Sequence, residues 1–362
     1  MTHFIRTLAR VRAAHLAIPF ALAWVGCRGG GDDSGGVAGS GGGGAEGLSC
    51  PHPGTLPFAG ELTDFEAEDA RLAAALPRVK DEASDLMGNP GSHFAFTHMR
   101  VDEPLQSGAS PFVGRKARSE NSSGLSAGGV AGEAVSLWVE GAGGWDRLGR
   151  ADTDAEGRYE LTLGAAELPR VIYSVLEGDG SCAEHQSYQL PRGAKVVVTD
   201  IDGTLTISDD ELMAQIGDGS YDPKQNGSAA LLMKTWAEKG YQVVYLTARP
   251  HLFRAETRAW LRRHGFPDGP VISANQLVFG ESARTYKRAW VERVRTGLGW
   301  EVVAVYGNAD SDIDAYEEGG IAKSITFIIG ELAGQSGTVA IPGGDFSAHI
   351  QDFVLSKPNV GG

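Results

Sequence analysis

The stretch KVVVTDIDGTL, residues 195–205, decides the reading of the fold. Its three consecutive valines make a short run that is apolar at every position, where a half-exposed strand would alternate. A strand of that kind is buried on both faces, as in a parallel sheet covered by helices. Two more runs share the texture, YQVVYLT at 241–247 and WEVVAVYG at 300–307. Helical stretches are expected around 228–239, 251–264 and 284–297, in the intervals between these runs. Buried strands alternating with helices give an α/β fold, a parallel sheet with helices on both faces. In such sheets ligands bind beyond the carboxyl ends of the strands.

The first run ends in side chains that suit chemistry. Asp200 and Asp202 are two positions apart, so on an extended chain they point the same way. Two carboxylates side by side are costly unless a cation offsets them, and magnesium prefers oxygen ligands. Gly203 allows a sharp exit from the strand, and Thr204 is placed to hold the loop or donate a hydrogen bond. A polar turn with a helix cap is the plain alternative. An EF-hand needs its glycine elsewhere and a helix, not a buried strand, before the loop.

Three later segments bear on the same site. Thr247 ends the second apolar run, where a hydroxyl is placed to bind a phosphate oxygen. Lys287 lies near the start of an expected helix and would offset the charge of a phosphoryl group. Asn308 and Asp312 follow the third run in YGNADSDIDAY, where an acid can complete a metal site. Singly, these read as a capping threonine, a solvated lysine and an acidic loop. Their order along one parallel α/β pattern is what gives them weight.

The series resembles the four motifs of the haloacid dehalogenase superfamily. TDIDGTLTISD (199–209), LTARP (246–250) and the GN-x-x-x-D-x-x-AY pattern at 307–316 are similar to the catalytic domain of the lipins, the phosphatidate phosphatases. TRAWLRRHGFPDGPVI (257–272) resembles the related C-terminal domain of membrane-associated phosphatidylinositol transfer proteins, whose acidic motif is degraded. The resemblance covers about 193–330. It implies a Rossmann-like domain in which Asp200 is the nucleophile and Asp202 the general acid and base. Thr247 and Lys287 would hold the phosphoryl oxygens. Mg2+ would be bound by Asp200, the backbone carbonyl of Asp202 and Asp312, with Asn308 nearby. Ala309 stands where lipins usually carry arginine.

Spacing bears on the substrate. Thr247 lies 45 positions after Asp202, and Lys287 lies 40 after Thr247. Each interval must already hold a core helix and a strand, which leaves little room for a large cap domain. An uncapped site suits bulky or membrane-borne phosphomonoesters. The expected activity is therefore magnesium-dependent phosphatase action on phosphatidate or a related lipid phosphate. A lipin-like lipid-binding module without turnover and an uncapped phosphatase for a non-lipid substrate stand as alternatives. A surface adhesion protein dominated by its β region is a blander one.

Outward from this domain, the region 90–192 reads as β. VSLWVE (135–140), RYELTL (158–163) and RVIYSVL (170–176) are separated by Gly- and Asp-rich turns, the texture of a small sandwich. Its match to an immunoglobulin-like partner domain is the weaker resemblance. Residues 103–130, rich in Ser and Gly, are expected to form a long loop. Asp152, Asp154 and Glu156 imitate the start of a calcium loop, but Leu163 stands at the closing position, and a hairpin turn is expected instead. Residues 50–89 carry an amphipathic helical pattern from Leu62 to Leu86 whose polar positions are mostly acidic. That favours a helix packed on the body of the protein over one lying on a membrane.

At the far end, residues 1–27 pair Arg6, Arg10 and Arg12 with a short apolar run ending in Gly26 and Cys27. This is a secretory-signal pattern, and the small residue before the cysteine resembles the lipobox of bacterial lipoproteins. Residues 28–49 are glycine-rich and read as a tether. An exported, membrane-anchored protein is expected. Cys50 and Cys182 would then be left free to pair. The net charge of −14 counts against nucleic acid as a partner.

Overall fold

The computed structural model describes residues 93–101, 111–119, 127–142, 144–163, 170–177, 182–218, 221–274 and 278–360. The expected leader, tether and helical segment over 1–89 lie outside them, as does Cys50. Cys182 itself is disulfide-bonded.

Among the described residues, nine strands precede the parallel sheet. One sheet holds β1 (His93–Ala95), β3 (Phe112–Ser119), β4 (Ala127–Gly129) and β7 (Arg158–Leu161). A second runs in the order β2 (His98–Val101), β9 (Cys182–Leu190), β8 (Val171–Leu176), β5 (Ala134–Gly141), β6 (Gly144–Asp152). Phe112 and Tyr159 from the first sheet share a core with Leu137, Ile172 and Leu176 from the second. All these pairings are antiparallel except β2 on β9, which is parallel.

Two expectations fail here. The Ser/Gly-rich stretch 103–130 is not one loop, because β3 lies inside it, paired with β1 and β7. The turn at 152–158 does not close a hairpin, since β6 pairs with β5 while β7 pairs with β3. It carries the chain from one sheet to the other. The Asp154 carboxylate accepts the backbone N–H groups of Glu156 (3.0 Å) and Arg158 (2.7 Å), which shapes that crossing.

The remaining strands form a six-stranded, wholly parallel sheet. They are β10 (Lys195–Thr199), β11 (Gln242–Pro250), β12 (Val271–Ala274), β13 (Glu301–Gly307), β14 (Thr326–Ile329) and β15 (Val339–Ile341). Their order is β12-β11-β10-β13-β14-β15. The chain moves outward from β10 in one direction, then returns to start again beside it with β13. Such a reversal opens a crevice at the carboxyl ends of the two central strands.

Among the described residues, five helices of eight or more residues accompany the sheet: α1 (Asp210–Gly217), α2 (Ala229–Glu238), α3 (Arg254–Arg263), α4 (Glu281–Glu292) and α5 (Asp310–Glu318). Alternation along the strands feeds two cores. Val197, Tyr245 and Tyr306 pack on one face with Trp236 of α2, Trp260 of α3 and the C-terminal Ile350 and Val354. Val196, Val198 and Val244 pack on the other with Val291 of α4 and Tyr316 of α5. Each such side chain, fully buried, contributes roughly 1.5–3 kcal/mol. The second core also takes in Met99 of β2 and Tyr188 of β9. The expected domain boundary at 193 is therefore a boundary in sequence with a continuous core across it.

Candidate active site

Asp200 is the first residue beyond β10, and its N–H donates to the carbonyl of Tyr306 on β13 (3.0 Å). It sits at the switch point of the sheet with its side chain buried. α4 brings a cation to it. Ala283, Lys287 and Val291 recur at four-residue steps on the buried face of that helix, so the lysine stands within an apolar stripe. Its Nζ lies 3.0 Å from Asp200 Oδ1 and 2.6 Å from Asp312 Oδ1. The other oxygen of Asp312 accepts the N–H groups of Asn308 (3.1 Å) and Ala309 (3.2 Å), which ties down the start of α5.

Burial pushes the Asp200 carboxyl up to about 8; the Lys287 ammonium works against this, and Asp312 and Asp202 add to it. Burial acts to lower Lys287, but Asp200 and Asp312 outweigh it and hold the ammonium charged.

Asp202 has a separate anchor. Arg249, wholly buried, grips it in a fork: Nη2 is 2.7 Å from Oδ1, and Nε is 2.8 Å from Oδ2 and 3.1 Å from Oδ1. The Thr247 hydroxyl donates to the same carboxylate at 3.4 Å and accepts the N–H of Arg249 at 3.1 Å. Asn308 spans the loop after β10. Its Oδ1 accepts from the Thr204 hydroxyl (3.1 Å), and its Nδ2 donates to Asp209 (3.4 Å). Burial raises the Asp209 carboxyl, the Asn308 amide opposes, and Asp202 adds to the rise.

All six residues expected at the site are brought to this crevice, in three groups. Asp200, Lys287 and Asp312 form one and Asp202 and Thr247 another, with Asn308 bridging the loop. Thr247, expected to face a phosphoryl group, is turned toward Asp202. Asp312, expected among the metal donors, has both oxygens engaged by Lys287 and the start of α5. Arg249 was missing from the expected set. It stands two positions after Thr247 on the same strand, and that spacing was the available signal.

A magnesium ion fits the donor chemistry. Asp200, Asp202, Asp209 and Asp312 outnumber Lys287 and Arg249, so a divalent cation would redress the charge. Lys287 takes one oxygen of Asp200, and the other makes no hydrogen bond among the described residues. No three His, Cys, Asp or Glu side chains among the described residues form a ready-made cage. Magnesium needs none, since it usually keeps water and substrate oxygens and uses one or two carboxylates.

Fold and site thus define a parallel α/β domain with a buried carboxylate–lysine centre at its switch point. Within it, residues 197–330 match the family described as PITM 1-3, LNS2 domain. That span begins inside β10, ends just after β14 and holds every site residue named above. Human membrane-associated phosphatidylinositol transfer protein 3 is 28% identical over 210 residues, 56% of this chain and 20% of that protein. Protein retinal degeneration B of Drosophila melanogaster is 29% identical over 217 residues, 58% of this chain and 16% of that protein. The chain thus spans a fifth or less of the length of these relatives. Among solved structures, a phosphoserine phosphatase in apo form overlaps 44% of this chain and 98% of its own, at 12% identity and a TM-score of 0.33. A D,D-heptose 1.7-bisphosphate phosphatase from B. bronchiseptica, complexed with magnesium and phosphate, overlaps 45% and 99% at 15% identity and a TM-score of 0.32. Overlaps this loose carry no argument.

Proposed function

We propose that the chain is a magnesium-dependent phosphomonoester hydrolase of the haloacid dehalogenase type, acting on phosphatidate or a related lipid phosphate. The observation that carries this reading is the intact acidic pair. Asp200 is buried beside Lys287, and Asp202 is held two residues away by Arg249.

In this reading Asp200 attacks phosphorus and forms an aspartyl-phosphate while Asp202 gives a proton to the departing oxygen. Water then attacks phosphorus as Asp202 takes a proton from it, the bond from Asp200 to phosphorus breaks, and inorganic phosphate leaves. Lys287 offsets charge on the phosphoryl oxygens. Thr247, whose bond to Asp202 is long, turns its hydroxyl to them. Asp200, the backbone carbonyl of Asp202 and Asn308 would hold magnesium, which supplies Lewis-acid polarisation of a phosphoryl oxygen. Asp312 serves chiefly by fixing Lys287.

The lipid substrate draws support from the short intervals at the two places where a cap domain would be inserted. Among the described residues, α1 and α2 are the helices between Asp202 and β11, and a 3-10 turn at His251–Phe253, α3 and β12 are the elements between β11 and α4. The bacterial lipoprotein reading belongs to the same proposal: export, an N-terminal lipid anchor in the membrane and no nucleic-acid partner. The immunoglobulin-like character of the two-sheet unit belongs to it too. A second reading, a lipid-binding module without turnover, is favoured by the similarity to phosphatidylinositol transfer proteins.

The test is phosphate release from phosphatidate in mixed micelles, with magnesium and with chelator, for the wild type and Asp200→Asn. Magnesium-dependent release that falls to background in the variant is expected. Turnover of an aryl phosphate but not of phosphatidate would keep the phosphatase and remove the lipid. Binding to phosphatidate liposomes with no turnover of either would replace the enzyme by the binding module.

A further inference from the structure

Arg249 is wholly buried at the crevice, and the reaction above gives it no step beyond its hold on Asp202. Its guanidinium is held from both ends. On one side it forks onto both oxygens of Asp202 at 2.7–3.1 Å. On the other, Nη1 donates to the hydroxyl of Thr257 on α3 at 3.2 Å, and Thr257 is itself wholly buried. The backbone adds a third tie, since the Arg249 N–H donates to Thr247 Oγ1. A planar fork on a carboxylate fixes direction as well as distance, which a lysine ammonium cannot do.

Asp202 needs that direction. It follows β10 by three residues, in a loop turned by Gly203 at φ +69°. Its own loop gives its carboxylate no hydrogen bond among the described residues; the bonds come from β11, through Arg249 and Thr247. The carboxylate that serves the leaving group is thus positioned by a neighbouring strand, and that strand is braced by α3.

We propose that Arg249 is the positioning residue for proton delivery to the leaving group, with Thr257 as its brace. This rests on the phosphatase reading above. Asp202 gives its proton to the oxygen that leaves as the P–O bond to the alcohol breaks and the bond from Asp200 to phosphorus forms. The products of that step are the free alcohol and the aspartyl-phosphate. An alkyl alcohol leaves poorly without the proton, whereas a nitrophenolate leaves well as the anion. Misplacing Asp202 should therefore penalise alkyl phosphates and spare activated aryl phosphates.

The experiment compares an alkyl phosphate, glycerol 3-phosphate or short-chain phosphatidate, with p-nitrophenyl phosphate. The full chain is assayed with magnesium as wild type, Arg249→Lys, Arg249→Met and Thr257→Val, and each variant is checked by circular dichroism and thermal melting. Arg249→Lys should lower kcat/KM, which reports the step that expels the alcohol, about a hundredfold on the alkyl substrate, within the usual range of a general acid, and less than about fivefold on the aryl substrate. Thr257→Val should shift the ratio the same way by a smaller factor. If Arg249→Met fails to fold, the lysine and valine variants still decide the matter. Equal losses of kcat/KM on both substrates, or none on either, would overturn the positioning role. Absence of turnover by the wild type on both substrates would instead remove the phosphatase reading beneath it.

Discussion

Gly203 shows how a single residue sets the site. It adopts φ +69°, and a Cβ there would lie 2.0 Å from Asn308 Nδ2. The bare backbone lets the Asn308 side chain lie across the loop between Thr204 and Asp209. Gly203→Ala should cost about 1–2 kcal/mol for the left-handed backbone. It should also push Asn308 aside and lower turnover by more than that loss of stability explains. Gly132 is the control, since it has φ +75° with nothing within 4 Å of an added Cβ. Gly132→Ala should show a similar loss of stability in urea titration and unchanged turnover. Equal effects on activity would refute the role given to Asn308. The sequence made much of this loop legible, because carboxylates two apart after an apolar strand have few other uses. Partner choice was not legible. That Asp312 spends its oxygens on Lys287 and two N–H groups depends on where α4 and α5 meet, which no local pattern records.

The elements were legible where periodicity was strong. The runs at 195–200, 241–247 and 300–307 are β10, β11 and β13; α2 and α3 fall in the expected intervals, and α4 starts three residues ahead of its own. β14 and β15 escaped because strands of four and three residues are too short to establish a period. The C-terminal helical stretch that covers one face, Ser347–His349 running into Ile350–Val354, escaped for the same reason. It carries His349, whose Nε2 lies 2.9 Å from the Tyr306 hydroxyl, and that hydroxyl accepts from the Trp236 indole (2.8 Å). Burial draws His349 down to about 4, with Asp352 opposing. The folded pKa lies below the unfolded value of about 6.5, so the unfolded chain takes up the proton first as the pH falls. Stability should therefore decline between pH 6.5 and 4, by on the order of 1–2 kcal/mol from this group once solvent screening is discounted. Urea midpoints for wild type and His349→Gln, at pH 7 and pH 5, test this. The variant should lose less on acidification, and parallel losses would assign the effect to other groups.

At the scale of the whole molecule, the sequence divides at 193 and the structure does not. The change of texture from alternating to continuous apolar strands is real, but it marks a change of architecture within one compact unit. What joins the parts is long-range and invisible to pattern. β2 pairs in parallel with β9, Met99 and Tyr188 enter the core of the parallel sheet, and the Thr97 hydroxyl donates to the Val271 carbonyl (2.7 Å). The seam is also charged. Arg258 of α3 pairs with Glu184 of β9 at 3.0 Å, and Arg254 donates to the Glu184 carbonyl at 3.3 Å. Burial, then Arg258, draws the Arg254 guanidinium down to about 9, and the Glu184 carboxylate opposes this. Glu184→Ala would leave two desolvated arginines facing each other, with the more distant Asp268 as the remaining carboxylate acting on Arg258. Breaking a fully buried pair costs 3–5 kcal/mol; with Glu184 partly in solvent, about 2–3 kcal/mol is expected. If the seam is core, hydrogen exchange should show the most protected amides of β8 and β10 opening with one shared free energy in the wild type, and the variant should lower both together. A variant in which β8 loses protection while β10 keeps it would mean that the two-sheet unit opens independently, and that α3 and the Arg249 brace it carries are supported by the parallel sheet alone.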